Sequence, residues 1–409
     1  MSSAIRFLFI LFAFATFLKP ACFDILGFGA INTFFNVSRV FVAIVIFIQY
    51  LFIEKKVPSK LLKGELMVFA CWFLSTIFSG EGLSRFFIFS VSILSLTMLI
   101  ELLIEHRLKS LIHALFVIYF ILITVNLVYL ISIFGFTINI EKNARSLYDF
   151  YTENAMVSLL SSPNMTASFL FPALCSAILL MLLTTKKNLF AWLLIAEIFV
   201  TVLILWSATS LTGVFLIVMY VLFVYKTKRE RWIKPKFLIC TILLLGIGIT
   251  FFKIQYLFSF IIEDILHKDL TMTGRTNVWN IGFDGFFSSP ILGCGFISKT
   301  IDNGYVQLLF MGGIIGTIAY FTFLFLALKA FCKNRIIHLE RFFSFVVAVI
   351  LLMFIAESWP QFMGLYIIIA LACNASKIEV KLSATKQHEK NCRIAYRAQP
   401  KREDSSVSA

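Results

Sequence analysis

Residues 302–328 read DNGYVQLLFMGGIIGTIAYFTFLFLAL. A polar triplet, Asp302-Asn303-Gly304, opens an apolar run long enough to cross a bilayer, which takes about 20 helical residues. Asp302 or Asn303 supplies the side-chain cap at the start, where the first N–H groups lack an intrahelical partner. Gly312, Gly313 and Gly316 suit close packing against a second helix. Outward from this stretch, further apolar runs occupy 5–18, 38–53, 63–79, 86–104, 111–134, 164–184, 189–206, 211–225, 237–256, 342–357 and 361–374. With 305–328 they predict an all-α, polytopic integral membrane protein with about 12 (10–12) transmembrane helices and a large outer loop. Composition agrees: 60% of residues are hydrophobic and 14% charged, with mean hydropathy +0.93. A soluble domain carries roughly 25% charged residues. Arg6 followed by FLFILFAFATFL reads as a retained anchor, because the residues near Lys19 and Pro20 make a poor cleavage site.

The formal charge is +14. The basic residues gather in EKKVPSK (54–60), EHRLK (105–109), TTKKN (184–188), KTKRERWIKPK (226–236), KAFCKNR (329–335) and the tail from Lys377. An even number of spans puts all of these, and both termini, on one side, which the positive-inside rule makes cytoplasmic. The excess charge is thereby assigned to orientation and to anionic membrane lipids, and nucleic acid is not expected as a partner. The eight cysteines show no metal-ligand spacing and no disulfide framework. Residues 1–374 form the expected membrane domain. Residues 375–409 read as a basic cytoplasmic tail without stable structure. No nucleotide-binding loop or zinc motif occurs in the chain.

On the opposite side the large outer loop spans 257–304, punctuated by Pro290 and several glycines. Within it TNVWNIGFDGFF predicts a short amphipathic helix from about Thr276, with Val278, Trp279 and Phe283 on one face. A second outer segment, KNARSLYDFYTENA (142–155), is suited to the membrane surface.

Four segments carry a family likeness: PNMTASFLFPAL (163–174), SATSLTGVFLIV (207–218), TGRTNVWNIGFDGFFSSPILGCGF (273–296) and DNGYVQLLFMGGIIGTIAY (302–320). Together they resemble the O-antigen polymerase and ligase superfamily of bacterial envelope proteins. Two positions depart from its pattern: Leu211 stands where arginine is frequent, and Asp302 where many members have histidine before Asn303. The second departure speaks against a lipid A ligase. The resemblance implies a polysaccharide polymerase of the inner membrane, a glycosyltransferase joining undecaprenyl-diphosphate-linked oligosaccharide repeats at the outer face. The product would be O-antigen, capsule or exopolysaccharide. The resemblance implies no cofactor or essential metal, and no nucleotide is needed because the lipid diphosphate is itself the leaving group. A flippase and a chain-length regulator are the implied partners.

Under that reading Arg275, Asp302 and Glu357 are the catalytic candidates. Arg275 can fork onto phosphate oxygens, and either carboxylate can take the acceptor's proton. Each also has an ordinary explanation: a headgroup contact for Arg275, a helix cap for Asp302, and a paired or wet buried acid for Glu357. Asn303, Arg145, Arg85, Ser210, Thr212, Asn164 and Tyr305 are the substrate-binding candidates, with Gln307 weaker. Arg145 or Arg85 replaces the contact that Leu211 lacks. Interface snorkelling is the ordinary explanation for Arg85 and for Arg39, and capping for Ser210. His267 is an exposed loop histidine. A ligase acting on lipid A or protein is the nearest alternative. A transporter would instead need ionisable groups at membrane depth, and the apolar runs show few.

Overall fold

The computed structural model describes residues 3–25, 29–134, 158–184, 188–205, 207–254, 275–296, 301–331, 338–358 and 360–398. These residues are helices and loops, with no strand among them. In chain order the helices are α1 (Ser3–Phe17), α2 (Cys22–Ile25), α3 (Gly29–Phe47), α4 (Lys60–Ser79), α5 (Leu83–His106), α6 (Leu108–Phe134), α7 (Ala167–Leu183) and α8 (Leu189–Leu205). They continue with α9 (Ala208–Phe223), α10 (Pro235–Phe252), α11 (Arg275–Ser288), α12 (Gly304–Phe331), α13 (His338–Met353), α14 (Met363–Cys373) and α15 (Ala375–Ala398). A π-helical turn, Ile48–Ile53, prolongs α3.

The expected twelve spans are corrected to six, or at most seven, among the described residues. The six are Gly29–Ile53, Lys60–Ser79, Leu83–His106, Leu108–Ile133, Pro235–Phe252 and Gly304–Leu328. The seventh would be Met363–Cys373 with Ala375–Thr385, bent by 65° at their junction. The chain is a multi-pass, all-α membrane protein. Hydropathy overcounted because an apolar run has two causes, lipid contact and burial in protein, and only length separates them. Ala4–Phe17, Ala167–Leu183, Leu189–Leu205 and Thr209–Phe223 are too short to span. Burial explains α7: Leu170, Phe171, Ala173, Leu174 and Cys175 are all at most 1% exposed.

A break in α12 organises the centre. Gly313 has φ 56° and ψ −157°, outside the helical region. Such a break frees backbone groups, and an unsatisfied one in an apolar setting costs several kcal/mol. The loop after α11 satisfies them. Cys294 and Gly295 donate their N–H groups to the carbonyls of Phe310 and Met311 at 2.7 and 3.0 Å. In return Ile314 and Ile315 donate to Pro290 and Ile291 at 2.9 and 3.3 Å. Ser75 Oγ also donates to the Met311 carbonyl, at 2.6 Å. The two backbones approach so closely that a Cβ on Gly293 would lie 2.5 Å from Gly313 N, and one on Gly313 2.4 Å from the Ile291 carbonyl oxygen. Gly312 and Gly316 do pack against a neighbouring helix, through the Trp72 indole of α4.

At one end of the bundle described parts of the basic segments 54–60, 105–109 and the tail meet. Lys56 pairs with Glu105, and His106 with Glu54 at 3.3 Å. The tail, expected to lack structure, forms α15 and docks at this end. Lys381 Nζ donates to the Ile104 carbonyl at 2.9 Å, at the carboxyl end of α5. Glu379 accepts the Leu339 N–H at 2.8 Å, at the amino end of α13. Each charge meets the helix end of opposite sign.

Three carboxylates lie within the apolar helices α4, α5 and α8, each with a hydroxyl partner. Glu65 is 1% exposed, and its Oε1 accepts from Thr97 at 2.8 Å. Tyr50 donates to Glu101 at 2.7 Å, and Thr124 to Glu197 at 2.8 Å.

Candidate functional site

The other end of the bundle gathers most of the expected polar residues. Asn303 is the cap of α12. Its Oδ1 accepts the N–H groups of Tyr305 and Val306 at 2.9 and 3.0 Å. Its Nδ2 donates to Thr250 Oγ1 at 3.1 Å and to the Ile355 carbonyl at 3.0 Å. With 0% exposure, Asn303 spends its polar atoms on holding α10, α12 and the segment after α13 together. Gly304 N reinforces that joint through the Phe354 carbonyl at 2.7 Å. Tyr305 is buried as well, and its hydroxyl donates to the Leu351 carbonyl at 2.9 Å. Gln307 is buried, and its Oε1 accepts the Ile301 N–H.

Asp302 is therefore released from capping. It is partly exposed, and its backbone carbonyl accepts from the Trp279 indole at 3.1 Å. That bond pins α11, the helix expected from TNVWNIGFDGFF, beside the start of α12. Trp279 is buried, and Val278 and Phe283 pack on the core beside it. Arg275 is the first residue of α11; the role expected of its side chain, like Arg145 and His267, lies outside the described residues. Arg85 is exposed on the first turn of α5.

A second polar group links α9 with the segment before α7. Ser207, not Ser210, caps α9, accepting the Ser210 N–H at 3.2 Å. Ser207 Oγ donates to Asn164 Oδ1 at 2.7 Å. Ser210 is buried near the Pro163 carbonyl, at 3.5 Å, while Thr212 is exposed. Glu357 joins the group from the segment between α13 and α14. It is 2% exposed, and its Oε1 accepts from Thr209 at 3.4 Å.

Beside these segments opens a cavity of about 230 Å³. Lys19, Arg39, Ser161, Ser168 and Gln361 supply its polar lining. Another wall is the amino end of α14, whose N-cap Phe362 provides no side-chain hydrogen bond. Both cations are anchored: Lys19 Nζ donates to Asn32 Oδ1 at 3.0 Å, and Arg39 Nε to the Thr16 carbonyl at 2.7 Å. Two held cations at a helix amino end form an anion-binding arrangement. Lys19 is not a sequence candidate, and Arg39 shares the standing of Arg85, an outer-side arginine whose ordinary explanation is snorkelling. The available signal was two cations far from every basic cluster. Their convergence is tertiary: it needs α1, α3, α7 and α14 together. Arg85 does not line this cavity.

No family model, curated protein or solved structure matches this chain.

Proposed function

We propose that this chain is a glycosyltransferase of the bacterial inner membrane. It joins oligosaccharide repeats carried on a polyprenyl diphosphate into O-antigen, capsule or exopolysaccharide. The basic end of the bundle faces the cytoplasm with both termini, and the cavity end faces outward. The observation that carries this reading is the cavity itself. Lys19, Arg39 and the amino end of α14 surround a volume suited to phosphate groups, at the end of the bundle that also holds Asp302 and Glu357. The four sequence segments that resemble the polymerase and ligase superfamily add to it. The span count does not, because that family expectation came with about twelve helices.

In this mechanism the donor diphosphate lies against Lys19 and Arg39. The acceptor sugar hydroxyl attacks the anomeric carbon of the donor. The new carbon–oxygen bond forms as the bond to the diphosphate breaks, and the diphosphate leaves with the electron pair. The two cations stabilise the charge gathering on it, the largest single contribution such a site makes. Glu357 takes the hydroxyl proton as general base. Glu357 lies four residues before Gln361 of the cavity wall in the chain.

The test is a reconstituted reaction: purified full chain, undecaprenyl-diphosphate-linked oligosaccharide and a gel of the lipid-linked products. A ladder from wild type, lost with Arg39→Ala and with Glu357→Gln, supports the reading. Transfer only onto added lipid A makes the protein a ligase. No transfer with either acceptor removes the enzyme reading. Glu65, buried within α4 with its Oε2 lacking a partner, favours ion-coupled transport as the second reading. Proteoliposome uptake of the lipid-linked oligosaccharide, abolished by Glu65→Gln, would establish it instead.

A further inference from the structure

At the basic end of the bundle a second opening lies between α1, α3 and α5. It measures about 520 Å³. Its walls are apolar, from Phe9, Ile46, Leu99 and Leu103, and its mouth carries Arg6, His106 and Arg107. Ile5 and Leu8 of α1, and Phe41 and Ile44 of α3, are exposed, so the walls continue into surface that faces lipid in a bilayer.

The charges at the mouth are unevenly matched. Glu54 is engaged by His106 at 3.3 Å and by Gln49 at 3.1 Å. Glu105, next along the chain, is paired with Lys56. The Arg107 guanidinium makes no hydrogen bond or ion pair among the described residues, although the residue is half-buried. Arg107 interrupts the helix between α5 and α6, with φ −148° and ψ 48°, which sets it at the rim. A cationic rim over an apolar slot matches one amphiphile: a negative headgroup with a hydrocarbon tail.

We propose that this crevice holds an anionic phospholipid, its headgroup phosphate against Arg6 and Arg107 and one acyl chain between α1, α3 and α5. The ligand is the intact lipid, because a free phosphate has no use for the apolar walls. The assignment is independent of the glycan reading and concerns the opposite end of the bundle. An arginine near a membrane surface contributes about 1 kcal/mol toward an anionic lipid. Two arginines therefore correspond to about 30-fold in affinity.

The experiment is native mass spectrometry of the detergent-purified full chain titrated with phosphatidylglycerol or phosphatidylcholine. Wild type is expected to retain phosphatidylglycerol, and Arg6→Gln/Arg107→Gln to lose about 30-fold of that retention with phosphatidylcholine unchanged. Val45→Phe, which narrows the slot and leaves both arginines, should also weaken phosphatidylglycerol. Circular dichroism and unfolding temperature screen each variant for folding, and the slot and arginine variants report separately if one fails. Equal retention of the two lipids by wild type overturns the proposal. So does displacement of bound phosphatidylglycerol by millimolar inorganic phosphate, which would make the phosphate group alone the ligand.

Discussion

Two cationic openings sit at opposite ends of the same helices. At one end Lys19, after α1, and Arg39, in α3, border a cavity with serine, glutamine and a helix amino end around it. At the other, Arg6, in α1, borders a slot of leucine, isoleucine and phenylalanine. Lysine and arginine alone would not distinguish them. The difference lies in what the neighbouring helices contribute. Phenylalanine and leucine line the first as well, but Ser161, Ser168, Gln361 and the amino end of α14 add polar groups that suit the proposed phosphate ligand, while the more apolar walls of the second suit a lipid tail. The lesson is that a cation near a membrane face acquires its role from its surroundings.

Arg39→Ala should lower glycan transfer about 100-fold, the scale of losing one charge-stabilising group, measured as initial rates in the reconstituted assay. Retention of phosphatidylglycerol should stay as in wild type. If Arg39→Ala changes lipid retention and leaves transfer intact, the two openings have been assigned the wrong way round. The reciprocal variant, Arg6→Gln/Arg107→Gln, should keep transfer within about twofold of wild type, since its charges lie outside the reacting end.

The break in α12 ties that helix to α4 and to the loop after α11. Gly313→Val puts a branched side chain at a positive φ and against backbone atoms at 2.4 Å. It should cost about 3 kcal/mol or more, read as a lower unfolding temperature and a loss of transfer. Asn303→Ala should cost about 2–4 kcal/mol, because four hydrogen bonds end together. The unfolding temperature should fall even with no substrate present, which separates joining helices from touching sugar. The smallest effect belongs to Arg85→Ala. Exposed and away from the cavity, it should alter stability by no more than about 0.5 kcal/mol and leave transfer rates within twofold. A large loss there would move the phosphate contact out of the Lys19–Arg39 cavity.

Much of the site region could be read in the chain, but for partly different reasons. DNGYVQLL identified a capped helix start, and the structure chose Asn303 over Asp302 because its amide can accept from α12 and donate to α10 at once. SATSL likewise marked a helix start, with Ser207 rather than Ser210 at the cap. GGIIG was legible as close packing, whereas the exchange of hydrogen bonds between the residues flanking Gly313 and the Pro290–Gly295 loop was not. That exchange depends on two segments meeting at a particular register. The Lys19–Arg39 cavity was missed because its four helices are far apart in the chain.

Read along the chain alone, the residues already make this an all-helical membrane protein, mark where most helices start, and show which segments carry its positive charge. Those properties follow from local causes: side-chain hydrophobicity, capping chemistry and composition. Tertiary structure decided how many apolar helices are long enough to span, since burial in protein and immersion in lipid demand the same residues. It decided that α15 is a docked helix, because Glu379 and Lys381 find helix ends supplied by other parts of the chain. It also decided which cations meet. A pairing between residues distant in sequence exists only once the intervening helices have packed.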